Sequence, residues 1–408
     1  MRHTSHIRVD LDAIAENLRA IRRVVGSGPE ICSVVKADAY GLGARRVART
    51  LVGAGSRMLA VFTPGQAAEI EEISGSARIL VLMPTCDFPR DPAISRLLAT
   101  GRLECSIGDL EQMTALAGIR LGRPIPVHVE IDTGMGRGGV LPGQAAMLIE
   151  AVRAARSLRL TGVFTHFSEQ DPRRVAEQAA CFDSVLEEVR EVLPTRVRIH
   201  AASTGPCFTS PDQRRDLVRI GLGWTGSLPS DIDGSRAIEA GLHGAVSWSS
   251  SLIQVRAIEA GTTIGYGSTW TSPRATRIGL VPVGYADGYP ATLVDPTDPQ
   301  RVLVETRDGM RAAPVVGAMN MDQLVVDLGD IDAAEPLHDQ RVMLLSDQPD
   351  SQVSLARLAS RAGIVPHQLL ACLGSGVPRI YLAEGAGEVA GSASGAALPN
   401  ARSVTAAG

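Results

Sequence analysis

A (β/α)8 barrel followed by a smaller β-rich domain is the α/β fold that this sequence predicts. Two features of its pattern carry that expectation. Up to about Leu242, short apolar runs alternate with stretches of helical periodicity, as in a parallel sheet closed on itself with helices outside. From about His243, strand-like runs follow one another with Gly and Pro turns between them, which reads as a β-rich unit. A third feature locates the chemistry. Polar residues of the first part stand where apolar runs end, and TIM-type barrels carry their active sites at the carboxyl ends of the strands. The expected division is 1–242 for the barrel, 243–384 for the β-rich domain and 385–408 for a tail.

In chain order, Asp10-Leu11-Asp12 offers caps for a helix with Ile14, Leu18, Ile21 and Val25 on one face. The eight expected barrel strands are 31–35, 58–62, 78–82, 103–107, 126–131, 160–165, 197–202 and 217–220. Helical stretches at 44–52, 66–73, 145–155 and 175–192 lie between them. In the second part, 245–257, 278–282, 302–306 and 324–328 read as strands and 355–362 as a short helix. The tail is Ala, Gly and Ser with little to bury, and is expected to be disordered. There is no internal repeat.

Composition narrows the function. Hydrophobic residues make up 45% of the 408 and aromatics only 3%, so the core must be built from Val, Leu, Ile and Ala. A net charge of -4 without a Lys/Arg-rich run argues against a nucleic-acid partner. No run is long and apolar enough for a bilayer, and the first residues lack the apolar segment of a secretory signal, so a cytoplasmic location without a membrane partner is expected. The six cysteines form no C-x-x-C pair, which points away from a structural metal or a disulfide framework and towards small buried hydrophobes.

The first expected barrel strand ends in Lys36, after which the chain turns through small residues, Gly41 and Gly43. Burying an ammonium is costly unless it is paired or its pKa falls. A lysine with a lowered pKa is a nucleophile towards an aldehyde. A lone lysine would ordinarily keep its charge in water, so the argument rests on its company. On the expected frame, Arg137 lies in the Gly-rich loop after strand five and His166 ends strand six. Ser203 and Thr204 follow strand seven, and Arg219 sits on strand eight with Gly221, Leu222 and Gly223 just past it. Barrels of this kind often hold phosphate after strands seven and eight, where backbone N–H groups at glycines can approach an anion closely.

The stretch Val34-Val35-Lys36-Ala37-Asp38-Ala39-Tyr40-Gly41 resembles the cofactor-lysine motif of the alanine racemases, fold-type III pyridoxal phosphate enzymes. Further matches follow in the family's order: Asp132-Thr-Gly-Met-Gly-Arg137, Thr165-His166-Phe167, Val218-Arg219-Ile220-Gly221, Gly265-Tyr266-Gly267, Gly284-Tyr285-Ala286-Asp287-Gly288 and Met321-Asp322. The resemblance runs from about Arg8 to about Tyr381. Taken singly, Tyr266 is a turn aromatic, His166 a core histidine, Arg219 a partner for Asp216 and Arg137 a prop for its loop. So many matches in order make those readings improbable together.

The resemblance implies a racemase for a small amino acid, alanine by default, working as a homodimer with pyridoxal phosphate. It implies that Lys36 carries the cofactor and acts as one base, while Tyr266 from the partner subunit acts as the other. It places His166 beside that tyrosine, Arg219 at the pyridine nitrogen and His200 behind Arg219. Tyr40, Ser203, Thr204, Gly221 and Leu222 would hold the phosphate, and Arg137, Tyr285 and the backbone at Met321 the substrate. No metal is implied. The chain also departs from the family: Leu42 replaces a motif histidine, and Glu130 stands where many relatives carry a lysine that becomes carbamylated. As a carboxylate, Glu130 is free to pair with Arg137. Ser375 stands for a site-lining tyrosine, and Ala291 and Ala318 for two entrance arginines whose usual partner is Asp171. These changes leave open a racemase for another amino acid, such as serine. Outside the racemases, a non-catalytic pyridoxal-phosphate-binding protein and a fold-type III decarboxylase also stay open.

Overall fold

The structure, a computed structural model, describes residues 4–294, 298–332, 335 and 337–383, and the backbone of 386–391. Its first strand, β1 (His6–Asp10), leads into the expected helix, Leu11–Val25, whose N-terminus is capped by Asp10 accepting from the Ala13 N–H at 2.8 Å. Eight parallel strands then close a barrel in sequence order: β2 (Glu30–Val34), β3 (Met58–Val61), β4 (Arg78–Val81), β5 (Leu103–Ile107), β6 (Ile125–Glu130), β7 (Leu158–Phe164), β8 (Arg198–His200) and β9 (Leu217–Ile220). Each lies on one of the expected runs, within a few residues at the ends. Helices including Ala44–Gly53, Pro64–Ile70, Pro142–Ala154 and Pro172–Glu188 cover the outside, as their apolar periodicity requires. Pro92–Thr100 and Leu110–Ala117, not foreseen from the sequence, complete the wall beside β4 to β6.

The barrel interior is not filled by branched apolar residues alone. Cys32, Val34, Met58, Ala60, Leu80 and Leu217 form a small buried cluster. The remaining space holds Glu104, His128, His200 and Arg219, all buried.

The second part is a ten-stranded sheet and a two-stranded hairpin. The sheet contains β10 (Val246–Ser251), β11 (Gln254–Ile258), β14 (Thr276–Val281), β15 (Arg301–Thr306), β16 (Gly309–Val316), β17 (Leu324–Asp327), β18 (Arg341–Leu345), β19 (Arg379–Ala383) and β20 (Ala386–Gly391), in the order β11-β14-β17-β16-β15-β18-β10-β1-β19-β20. The hairpin is β12 (Thr263–Ile264) with β13 (Trp270–Thr271). The run 245–257 is thus two strands rather than one. Two further expectations are corrected. Residues 6–10, placed with the barrel by the sequence, pair antiparallel with β10 (Ile7 opposite Trp248) and parallel with β19 (Ile7 opposite Arg379). The expected disordered tail begins as β20, antiparallel to β19; residues 385 and 392–408 lie outside the described residues.

Candidate active site

Lys36 follows β2 at the carboxyl mouth of the barrel and opens a turn of unusual hand. Ala37, Asp38, Ala39 and Tyr40 all have φ between 53° and 58°. Left-handed backbone costs an L-residue about 1–2 kcal/mol, so the surroundings must hold the turn. Asp38 Oδ1 accepts from the Ala44 N–H at 2.6 Å and its carbonyl from the Gly43 N–H at 3.0 Å. From β19, Arg379 Nε donates to the Gly41 carbonyl at 3.0 Å, and the Tyr381 hydroxyl donates to the Leu42 carbonyl at 3.1 Å. Burial, and then the charge of Arg137, lower the pKa of Lys36. Both favour the neutral, nucleophilic amine.

The turn sends Tyr40 inward, where its ring stacks on Trp224 with centroids 5.6 Å apart. The Tyr40 side chain is buried, and its hydroxyl has no hydrogen-bond partner among the described residues. It stands 2.1 Å from where a Cβ on Gly221 would be. Only glycine therefore lets the hydroxyl and the backbone of 221–223 converge. Thr204 Oγ1 accepts from the N–H groups of Gly221 and Gly223 at 3.1 and 3.3 Å. The N–H groups of Thr204 and Leu222 have no partner among the described residues. An unpartnered hydroxyl and free N–H groups on a Gly-rich turn suit a phosphate. Ser203 stands just before Thr204, half-buried.

Arg219 is buried on β9 with its guanidinium fully oriented. Nη1 donates to His200 Nδ1 at 2.8 Å; Nη2 faces the carbonyls of Thr165 and Ala201 at 2.8 and 3.0 Å and His166 Nδ1 at 3.0 Å. Its Nε–H and second Nη1–H have no partner among the described residues, so the group can still donate to an acceptor above it. Burial and the neighbouring cations lower the His166 pKa to about 3, so at neutral pH it is an uncharged imidazole. The structure brings His166 to Arg219, and as a neutral ring it adds no positive charge for a tyrosine base.

The remaining predicted residues gather on the second domain. Tyr266 sits at the tip of the β12–β13 hairpin and is 76% exposed, and Tyr285 and Met321 are 49% and 55% exposed. They are neighbours through the backbone: the hairpin packs on Gly317 and Ala318, and the Ala286 N–H donates to the Met321 carbonyl at 3.0 Å. Among the described residues no hydrogen bond or ion pair joins this group to the barrel group within the chain. Arg137 is exposed on the Gly-rich loop, where Asp132 accepts from the Gly134 and Gly136 N–H groups. It forms no ion pair with Glu130 among the described residues; burial raises the Glu130 pKa.

The departures take definite places. Ala291 and Ala318 line one cavity of about 300 Å³ with Thr269, Trp270, Val315 and Met319. Asp171 caps the helix Pro172–Glu188, accepting from the Arg173 N–H at 2.8 Å. Ser375, expected to line the site, is exposed on a turn; the ring beside Tyr40 is His367, with centroids 6.4 Å apart. Burial and then the charge of Lys36 lower the His367 pKa. Sequence reasoning missed His367, as it missed Glu104 and His128 inside the barrel.

Two family models match. "Alanine racemase, N-terminal domain" covers residues 9–229 and "Alanine racemase, C-terminal domain" covers 245–381. The alanine racemase of Chlorobaculum tepidum is 33% identical over 385 residues, covering 93% of this chain and 95% of that protein. That of Desulforamulus reducens is 34% identical over 379 residues, covering 92% and 98%. Among solved structures, alanine racemase from D-cycloserine-producing Streptomyces lavendulae superposes with a TM-score of 0.83 at 28% identity, covering 94% of this chain and 98% of that one. Alanine racemase from Bartonella henselae, solved with covalently bound pyridoxal phosphate, gives 0.78 at 25% identity, covering 93% and 99%.

Proposed function

The chain belongs to the alanine racemase family, and on that premise we propose that it racemises alanine with pyridoxal phosphate on Lys36, as a homodimer in which each site borrows Tyr266 from the partner subunit. The observation that carries this reading is the placement of Lys36. An amine of lowered pKa stands at the barrel mouth just past β2, whose neighbour β9 carries Arg219 with its open donors and leads into the Gly221 turn that the Tyr40 hydroxyl approaches. The Bartonella henselae structure, with its covalent pyridoxal phosphate, supports the same cofactor.

The cofactor, when bound, makes the Cα proton of an attached amino acid acidic by delocalising the electrons left behind. The protein's residues do the rest. Tyr40, Ser203, Thr204, Gly221 and Leu222 bind the phosphate. Arg219, a donor-only cation, would lie at the ring nitrogen and, having no proton acceptor to offer, would leave that nitrogen unprotonated, which would weaken the electron sink and disfavour side reactions. Lys36 Nζ moves the proton on one face, and the Tyr266 hydroxyl on the other. A free tyrosine is a poor base at neutral pH; with His166 uncharged, the charge that helps it must come from Arg219 or Arg137. Arg137, Tyr285 and the Met321 backbone take the substrate carboxylate. The exposure of Tyr266, Tyr285 and Met321 supports the shared site, because a second chain would cover them. The same proposal keeps the barrel to about residue 242, the β-rich domain after it and a cytoplasmic location.

A binding protein without turnover would need no second base, and the C-terminal family match, 245–381, includes Tyr266. The test is borohydride reduction of the purified protein followed by peptide mapping. A pyridoxyl group on Lys36 is the expected product, and one on another lysine would sink the assignment.

A further inference from the structure

The barrel interior holds a chain of buried polar groups that runs from the amino ends of the strands to Arg219. At its foot are two carboxylates and two guanidiniums. Arg78 donates to Glu30 at 2.6 Å, and Arg198 donates to both oxygens of Glu104 at 3.1 and 2.9 Å. Glu104 Oε2 lies 2.5 Å from His128 Nε2. His128 Nδ1 lies 2.8 Å from His200 Nε2, and His200 Nδ1 is 2.8 Å from Arg219 Nη1. Glu104, His128, His200 and Arg219 are all buried.

The direction of every bond in this chain follows from its ends. Arginine has no acceptor, so His200 Nδ1 must accept, and the single His200 ring proton sits on Nε2. That proton is donated to His128 Nδ1, which places the His128 proton on Nε2, pointing at Glu104. A doubly protonated His128 would donate from Nδ1 into His200. His200 would then have to accept at both nitrogens, as an anion, which is excluded beside a donating arginine. The cation at one end thus fixes both tautomers, and the carboxylate at the other accepts the proton that results.

The fold makes room for this arrangement. β6 and β7 slip register between Val127 and His128, so that His128 faces Gly162. A Cβ on Gly162 would lie 2.2 Å from His128 Nδ1. The His200 ring is clamped flat on Phe164, with centroids 4.8 Å apart and 10° between planes. A bulge and a glycine at this one spot are what the His128 ring needs to reach both of its partners.

We propose that Glu104 is a positioning residue for Arg219, which it does not touch. Acting through His128 and His200, it anchors the two rings so that His200 Nδ1 stays in place as the acceptor for Arg219, and so would hold the guanidinium in the plane that faces the ring nitrogen. The proposal rests on the reading that Arg219 meets that nitrogen. Its own prediction concerns the two imidazoles and stands apart from turnover.

The experiment is two-bond ¹H–¹⁵N correlation on histidine-labelled protein, with His128 and His200 assigned by the His128→Phe and His200→Phe variants. Both rings are expected to carry their proton on Nε2. In Glu104→Leu, which removes the acceptor, Arg219 still sets both tautomers, so the protons should stay on Nε2, but the His128 Nε2 signals should shift as its short hydrogen bond is lost and the His200 signals should shift with them. Glu104→Gln, which keeps an oxygen, should retain the original pattern. Turnover should fall roughly tenfold in kcat in Glu104→Leu with less change in KM, as for hydrogen-bonded groups behind a ligating residue, and recover in part in Glu104→Gln. A proton on Nδ1 of either ring in the unmodified protein overturns the proposal, as does a Glu104→Leu variant with unchanged histidine signals. If Glu104→Leu does not fold, Glu104→Gln decides: a partial loss of kcat is expected, and an unchanged kcat overturns the proposal. The predicted tautomers in a protein without racemase activity would defeat the functional reading and leave only the hydrogen-bonded chain from Glu104 to Arg219 standing; racemase activity with a proton on Nδ1 of either ring would defeat this proposal alone.

Discussion

Arg137 illustrates how one exposed charge can matter to a buried reaction. Its positive charge and the burial of Lys36 act in the same direction, since both disfavour the ammonium and lower its pKa. Arg137→Gln removes a cation, so the Lys36 pKa should rise. The reactive amine would then form only at higher pH. The expected outcome is that protein stripped of cofactor takes up pyridoxal phosphate along a pH profile displaced upwards, by less than one unit because Arg137 is solvated. An unmoved profile would show that burial alone sets the amine. At this scale much of the site was legible. Lys36, His166 and Arg219 stand at or near the ends of apolar runs, where a barrel puts its chemistry. Glu104 and His128 were not, because they sit inside runs read as strands. A one-dimensional pattern does not say which side of a barrel strand faces inward, nor which strand supplies the partner. His367 was missed for a related reason: its ring neighbour, Tyr40, is far away in sequence.

The left-handed turn at 37–40 is the element that the sequence hid most completely. None of its four residues is glycine, so nothing in their types announced positive φ; the cost is offset by contacts from elsewhere. The main contact comes from β19. Buried Arg379 bonds to the carbonyls of Gly41, Leu373, Gly374 and Val377 at once. Arg379→Leu would leave those carbonyls unpaired, at a cost of about 3 kcal/mol or more, and would free the turn that carries Lys36 and Tyr40. The variant should therefore lose cofactor much faster on dialysis than the unmodified protein. Equal retention would mean that the turn holds itself. Elements set by local signals were read correctly, as with Leu11–Val25 and its Asp10 cap. Pro92–Thr100 and Leu110–Ala117 were overlooked although Asp91 and Asp109 cap them, because each carries only a short apolar stripe. β1 escaped because its partners, β10 and β19, lie far along the chain, and a strand is specified by pairing as much as by its own residues.

For the whole molecule, the chain divides its proposed chemistry between two surfaces, Lys36 at the barrel mouth and Tyr266 on an exposed hairpin. If a two-fold dimer joins them, mixing Lys36→Ala protein with Tyr266→Phe protein should restore about a quarter of full activity, since half of the randomly mixed dimers hold one intact site of two. No recovery despite proven subunit exchange would refute the shared site. The same arrangement bears on substrate range. Ala291 and Ala318, where the family resemblance leads one to expect arginines, line one cavity of about 300 Å³ close to the hairpin and to Met319. Two short side chains in place of two long cations leave space and remove positive charge at the surface that would face the partner's site. A pocket that is merely roomier discriminates weakly, because one small group is worth only about 1–3 kcal/mol. Asp171 is engaged as a helix cap, but its carboxylate remains at the surface without those arginines, which disfavours acidic substrates. Serine should therefore be turned over within roughly tenfold of alanine, a gap of about 1.4 kcal/mol in transition-state binding, and aspartate should be poor. Ser375 is exposed on its turn, so the alanines and not Ser375 should set the range. Ala318→Arg is then expected to restore preference for alanine and Ser375→Tyr to change little. Measured kcat/KM for alanine, serine and aspartate in the three proteins decides it: strict alanine preference in the unmodified enzyme would mean that other groups, contributed across the dimer, close the cavity.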